Sequence, residues 1–279
     1  MFFLQVVIGI GFYLYIYTLI PSSKEIKSCL VTKMYKVQLC PGSKDYAPLA
    51  GVSAYLKKSV ILSEDSAFYQ HNGFDWKALQ YSFEVNMSRG RYVRGGSTIT
   101  QQLAKNLYLT KEKTLWRKFL EALITVRIEK YLTKKEILER YLNVVEFGPK
   151  IYGIKKAAQH YFQKNPKDLN LLESIYLTFL LPSPQKYSKS FDKGYLTQFG
   201  KKRMRHLIQL MYRTHQITEE AYNKALSDLE FFPKEPIIIE PMEEEEETDV
   251  AEDEELERTL DERIKESSEP SDSESPESE

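Results

Sequence analysis

The sequence predicts a mainly α protein, with one helical domain set between an N-terminal transmembrane helix and a disordered acidic tail. Three observations carry that expectation. Phe2–Ile20, "FFLQVVIGIGFYLYIYTLI", is 19 residues without a charge. From about Ala47 to Phe232, apolar residues recur at helical intervals between N-cap signals, and strand-like alternation is scarce. After Met242 the chain carries 19 acidic and 3 basic residues and no aromatic. The expected segments are an anchor over 1–21, a linker over 22–46, the helical domain over 47–236 and the tail over 237–279.

As a helix rising about 1.5 Å per residue, the N-terminal run reaches about 28 Å, close to the hydrocarbon thickness of a bilayer. A cleaved signal peptide is the rival reading. The run is longer than a usual signal core, no basic residue precedes it, and no small-x-small site follows. A retained anchor is therefore expected. Lys24, Lys27, Lys33 and Lys36 follow it, and the positive-inside rule taken alone would keep them in the cytoplasm. Cys29 and Cys40 lie 11 apart just after the span, and the sequence leaves open whether they are bridged.

The overall net charge of −1 conceals a strong division. Residues 243–279 carry a net −16, which leaves 21 acidic and 36 basic residues, a net +15, in residues 1–242. The tail is too poor in apolar residues to offset the entropy of ordering. Solubilisation is the ordinary use of such a segment. A clamp on the basic body and a docking site for a partner are the alternatives.

Within the body, "LWRKFLEALITVRIEKYL" places Leu115, Phe119, Leu123, Val126 and Leu132 at helix-like intervals. Thr133 with Glu136, and Asn170 with Glu173, have the spacing of capping boxes, and Thr218 is an N-cap candidate. Asn165-Pro166 and Pro182–Pro184 mark turns, and Pro233 with Pro236 ends the domain.

Three clusters carry chemistry. In "EDSAFYQHNGFDW", Glu64 and Asp65 read by themselves as a solvated helix-end pair, and His71 as a structural hydrogen-bonding residue. In "RGGSTITQQLAKN", a glycine pair opens a helix on which Thr98, Gln102 and Lys105 share a face, while Ile99, Leu103 and Leu107 occupy a different, apolar one. A polar surface stripe is the commoner fate of such residues. The glycines argue for close approach of backbone to a ligand, and the free N–H groups of a helix N-terminus favour an anion. In "RKFLE", Arg117 and Lys118 lie four and three residues before Glu121, which also suits a surface ion pair worth about 0.3–0.5 kcal/mol.

Taken in order, "EDSAFYQHNGFDW", "RGGSTITQQLAKNLYL", "RKFLEALITVRIEKYLTKKEILERYLN", "VEFGPKIYGIKKAAQHYF" and "LTFLLPSPQKY" resemble the five consecutive motifs of the peptidoglycan glycosyltransferases, family 51. The resemblance covers roughly Ser53–Tyr187. The layout is similar to that of the monofunctional biosynthetic members. A single Ser-x-x-Lys, Ser190 to Lys193, has no Lys-Thr-Gly after it and is read as chance.

The resemblance implies a lysozyme-like, two-lobed helical fold. It implies an enzyme that polymerises lipid II into β-1,4-linked glycan, with inversion and release of polyprenyl pyrophosphate. Glu64 matches the general base and Glu121 the second carboxylate. Lys105, Arg117 and Lys118 match groups that meet the pyrophosphate, and Ser97, Thr98, Gln102 and Asn106 match positions that bind the phosphate-sugar portion. A mobile lid is implied, placed here at Arg89–Gly96. The implied partners are lipid II, the growing glycan chain and the bilayer, with cell-wall or division proteins as further candidates and no nucleic acid. No cofactor is firmly implied; a divalent cation (Mg or Mn) can bridge a pyrophosphate to an acid, but no dedicated metal site is visible. The implied location is the bacterial cytoplasmic membrane, single-pass, with the catalytic domain on the outer side.

The tail is outside the family pattern, and Lys150 in "GPKIYG" stands where many relatives have glycine. Two rivals are a lytic hydrolase of lysozyme-like fold and an idle scaffold that binds lipid II. The phosphate-suited second motif speaks against the first, and the presence of both glutamates against the second.

Overall fold

The uncharged N-terminal run forms one helix, α1 (Phe2–Leu19), in the computed structural model, which describes residues 2–89, 95–192 and 194–233. Its length and apolar composition suffice to cross a membrane. A short helix α2 (Ser23–Lys27) follows, closed by a capping box between Ser22 and Glu25. Next comes a small antiparallel hairpin, β1 (Leu30–Val31) with β2 (Gln38–Leu39). Cys29 and Cys40 flank it and are joined by a disulfide. The expected tail over 237–279, Pro236, and the chance match ending at Lys193 lie outside the described residues.

The chain divides into two compact units, one up to Asp192 and one beyond it. In the first, α3 (Ala54–Glu64), α4 (Trp76–Arg89), α5 (Ile99–Tyr108), α6 (Leu115–Tyr131) and α7 (Lys134–Val144) run in succession. A second hairpin, β3 (Glu146–Gly148) with β4 (Ile151–Tyr152), leads to α8 (Ile154–Phe162) and α9 (Leu171–Leu180). The unit ends with two short turns of helix, α10 (Pro184–Tyr187) and α11 (Lys189–Asp192).

Helix α5 is central because it packs on both α6 and α7. Its Ile99, Leu103 and Leu107 are buried, as are Ile124 and Ile128 of α6 and Ile137, Leu138 and Leu142 of α7. Each such side chain stabilises by roughly 1.5–3 kcal/mol. Helix α9 is apolar over most of its surface, and all ten of its residues are buried, the pattern of an interior helix. It packs on α3, where the Ser59 and Thr178 hydroxyls meet at 2.7 Å, so the polar atoms of that contact satisfy each other. The capping boxes at Thr133–Glu136 and Asn170–Glu173 form as expected.

Helix α6 corrects one expectation. Of the five residues read as its stripe, Leu115, Phe119 and Val126 are 91%, 46% and 54% exposed, Leu123 is half-buried, and Leu132, just past the helix end, is buried. The buried face is the adjacent one, carrying Leu120, Glu121, Ile124, Thr125 and Ile128. Both stripes are apolar at helical spacing, so periodicity alone does not choose between them. The outer face lies near α1 instead. The Phe12 ring is 6.3 Å from that of Trp116, and Arg127 sits over Tyr17.

In the turn between β3 and β4, Lys150 adopts φ +62°, a left-handed conformation that costs an L side chain roughly 1–2 kcal/mol. The residue that departs from the resemblance therefore occupies a position suited to glycine. In the second unit, α12 (Gln198–Arg213) packs on α13 (Glu219–Leu229), with Thr197 and Thr218 as N-caps. Tyr212 and Tyr222 stack across them at 4.6 Å, and Arg205 pairs with Glu230 at 2.6 Å.

Candidate active site

The site grows from the junction of α3 with α5. Asp65 is the C-cap of α3 and is buried. Its Oδ2 accepts from the Ile99 backbone N–H at 3.0 Å, and its Oδ1 from His71 Nε2 at 2.8 Å. His71 Nδ1 accepts from the Gly73 N–H, so the ring's remaining proton is on Nε2 and donates to Asp65. Gly73 has φ +93°, and a Cβ there would meet Thr125 Cγ2 at 2.8 Å. Thr98 completes the junction. Its hydroxyl donates to the Gly73 carbonyl at 2.7 Å and accepts from the Gln101 N–H, while the Gln101 side chain accepts from the Thr98 N–H.

This arrangement corrects the reading of the α5 N-terminus. Its Ile99 and Gln101 N–H groups do not wait for an anion, because Asp65 and Thr98 already accept from them. A helix end buried against α4 and the His71 turn must be satisfied internally, and a nearby carboxylate does so with the helix dipole. Thr98 is accordingly the cap, with extended backbone, rather than part of the helical face shared by Gln102 and Lys105. Gly96 has a packing reason, since a Cβ there would meet Leu79 Cδ2 at 3.0 Å. Asn106 is buried, and its backbone carbonyl accepts from the Met34 N–H. Of the proposed lid, residues 90–94 lie outside the described residues.

One turn along, α5 presents a different surface. Glu64, half-buried at the end of α3, accepts from Gln102 Nε2 at 2.8 Å. Gln102 Oε1 in turn accepts from the Tyr141 hydroxyl of α7 at 3.2 Å. From α6, Glu121 is 2% exposed and takes Arg117 Nη1 at 3.1 Å and Lys118 Nζ at 2.5 Å. Lys118 also donates to Ser97 Oγ at 3.0 Å, which ties the second motif to the third.

Lys105 is the point where these groups converge. Burial pushes its amine below the usual lysine range; Glu121 and, more weakly, Glu64 pull it back up, and Arg117 and Lys118 push it down. Three cations thus share one neighbourhood with two carboxylates. Arg117 Nε, moreover, is buried with no hydrogen-bond partner. An orphaned guanidinium N–H and a lysine held against a desolvation cost are suited to an incoming anion.

Sequence reasoning brought Glu64, Ser97, Gln102, Lys105, Arg117, Lys118 and Glu121 together, and the structure does so too. It missed Tyr141, whose signal was only an aromatic in an apolar helix face. It also missed Asp65, which is architectural rather than solvated. Among the described residues, no group of three or more His, Cys, Asp or Glu is placed to hold a metal ion.

The family model for transglycosylases matches residues 32–212, about two thirds of the sequence, and takes in every residue of this site. The chain belongs to the transglycosylase family. It is 47% identical over 155 residues to the biosynthetic peptidoglycan transglycosylase of Alcanivorax borkumensis, covering 56% of this chain and 63% of that protein. The protein of the same name from Aromatoleum aromaticum is 48% identical over 147 residues, 53% of this chain and 64% of its own length. That from Nitrosospira multiformis is 41% identical over 153 residues, 55% and 66%. The chain thus spans just under two thirds of these curated transglycosylase relatives.

Proposed function

We propose that this chain is a peptidoglycan glycosyltransferase that polymerises lipid II into β-1,4-linked glycan and releases polyprenyl pyrophosphate. The observation that carries the reading is the convergence of Glu64 and Glu121 with Lys105, Arg117 and Lys118. A sugar hydroxyl is a weak nucleophile, and Glu64 is the carboxylate that takes its proton as the new C–O bond forms. General base catalysis of this kind contributes roughly 10²–10⁴-fold. The bond between the donor's anomeric carbon and the pyrophosphate oxygen breaks from the opposite face, so the configuration inverts. Lys105, Arg117 and Lys118 stabilise the charge developing on the leaving group. Glu121 holds Arg117 and Lys118 in place for that task, and Ser97, bonded to Lys118, borders the same ligand. Gln102 orients Glu64. Thr98 and Asn106 act from behind, through the position of α5.

The reading extends to location. An apolar α1 and the exposed apolar face of α6 suit a body held at a bilayer, where a lipid-linked donor resides. The Cys29–Cys40 disulfide supports an oxidising compartment, and so the outer side of the cytoplasmic membrane.

The test uses the full chain in detergent with labelled lipid II. The expected product is polymer that lysozyme digests. Cleavage of added glycan without polymer would replace this reading with the hydrolytic one, and binding of lipid II without turnover with the scaffold.

A further inference from the structure

We propose that Tyr141 is a positioning residue for Glu64, acting through Gln102, whose amide it holds in the one orientation that donates to the carboxylate. The inference rests on the reading of Glu64 as the base, but its first consequence concerns the carboxylate itself and needs no substrate.

The chain of bonds runs from Tyr141 Oη to Gln102 Oε1 at 3.2 Å, then from Gln102 Nε2 to Glu64 Oε2 at 2.8 Å. A primary amide has a donor end and an acceptor end, and a half-turn about its last bond exchanges them. Facing an ionised Glu64, only the NH₂ end is favourable. The carbonyl end then needs a donor, and Tyr141 supplies one from α7. Its side chain is fully buried, so it cannot swing away to water. Burial, together with the charges of Glu64 and Asp65, pushes the phenol well above its usual range, so it stays a donor throughout the working pH range.

Other groups near Glu64 are both charged and neutral. Asp65 is its neighbour in the chain, Lys105 lies three residues beyond Gln102 on α5, and α9 meets α3 through the neutral Ser59–Thr178 contact. Without the phenol hydroxyl, Gln102 is free to turn its carbonyl toward Glu64. That orientation favours the protonated acid and a displaced carboxylate.

The experiment compares wild type, Tyr141→Phe, Gln102→Leu and the double variant, each as full chain in detergent. The Glu64 carboxyl midpoint is read by infrared difference titration, the band being identified by its loss in Glu64→Gln. Tyr141→Phe is expected to raise the midpoint by about half to one pH unit, a threefold to tenfold gain in proton affinity. It should also lower kcat for lipid II about tenfold, with KM within about twofold and the acid limb of the pH profile displaced upward. In the Gln102→Leu background the same substitution should change neither. An unmoved midpoint in Tyr141→Phe, or an equal shift without Gln102, overturns the inference whatever Glu64 does in the reaction. A shifted midpoint with unchanged kcat keeps the relay and instead removes Glu64 as the base. A lower melting temperature alone marks the hydroxyl as structural and also overturns it.

Discussion

The two ends of the α3–α5 junction treat adjacent carboxylates in opposite ways. At the α5 N-terminus, Asp65 is buried and its two oxygens are spent on Ile99 and His71, with Thr98, Gln101 and Gly73 closing the remaining bonds. One turn along α5, Glu64 is half-buried and meets Gln102 beside Lys105, while Arg117 keeps a buried N–H unpartnered. The first region pairs both oxygens of its buried carboxylate within the protein, and the second carries an excess of donors and positive charge. Stability resides in groups that are satisfied; chemistry is held where satisfaction is deferred until a ligand arrives.

The sharpest way to break the comparison is at Glu64. Glu64→Gln should lower polymerisation by about 10²–10⁴-fold while leaving the melting temperature nearly unchanged. Lys105→Met comes next, with an expected loss of roughly 10²–10³-fold in kcat. It should melt no lower than wild type, because it removes a charge held against desolvation. The sign of the pH dependence follows from the same burial. Between the lowered folded value of Lys105 and the ordinary lysine value, the unfolded chain binds more protons, so wild-type stability rises with pH there. Denaturant titrations across that window should show this rise in wild type and lack it in Lys105→Met.

On the architectural side the expected effects are on stability. In Asp65→Asn, the new amide cannot accept from both Ile99 N–H and His71 Nε2–H. The His71 tautomer cannot adjust either, because Nδ1 already accepts from Gly73. A loss of about 1–3 kcal/mol in chemical denaturation is expected. Thr98→Ala removes the cap and should cost about 1 kcal/mol. The smallest effect lies far from the site, where Lys150→Gly relieves a left-handed turn and should gain about 0.5–1 kcal/mol without changing kcat.

Much of this was legible in the sequence. The apolar N-terminal helix and the caps at Thr133, Asn170 and Thr218 follow from local signals. Five ordered motifs gathered the charged groups of the site. What sequence could not supply was direction. Leu115 and Phe119 offered α6 one apolar stripe and Leu120 and Ile124 another, and only packing on α5 selects the second. The helix start after Gly96 looked like an anion site because Asp65, more than thirty residues upstream, could not be seen folding back onto it. Tyr141 was hidden for the same reason, since its partner is on another helix.

The most direct measurement sets Glu64→Gln and Asp65→Asn side by side, with lipid II polymerisation and thermal melting read on the same preparations. The predicted result is a crossed pattern, in which Glu64→Gln loses activity but not stability and Asp65→Asn loses stability but keeps substantial activity below its melting range. Full polymerisation by Glu64→Gln, or its abolition in a stably folded Asp65→Asn, would contradict the division of labour between the two carboxylates.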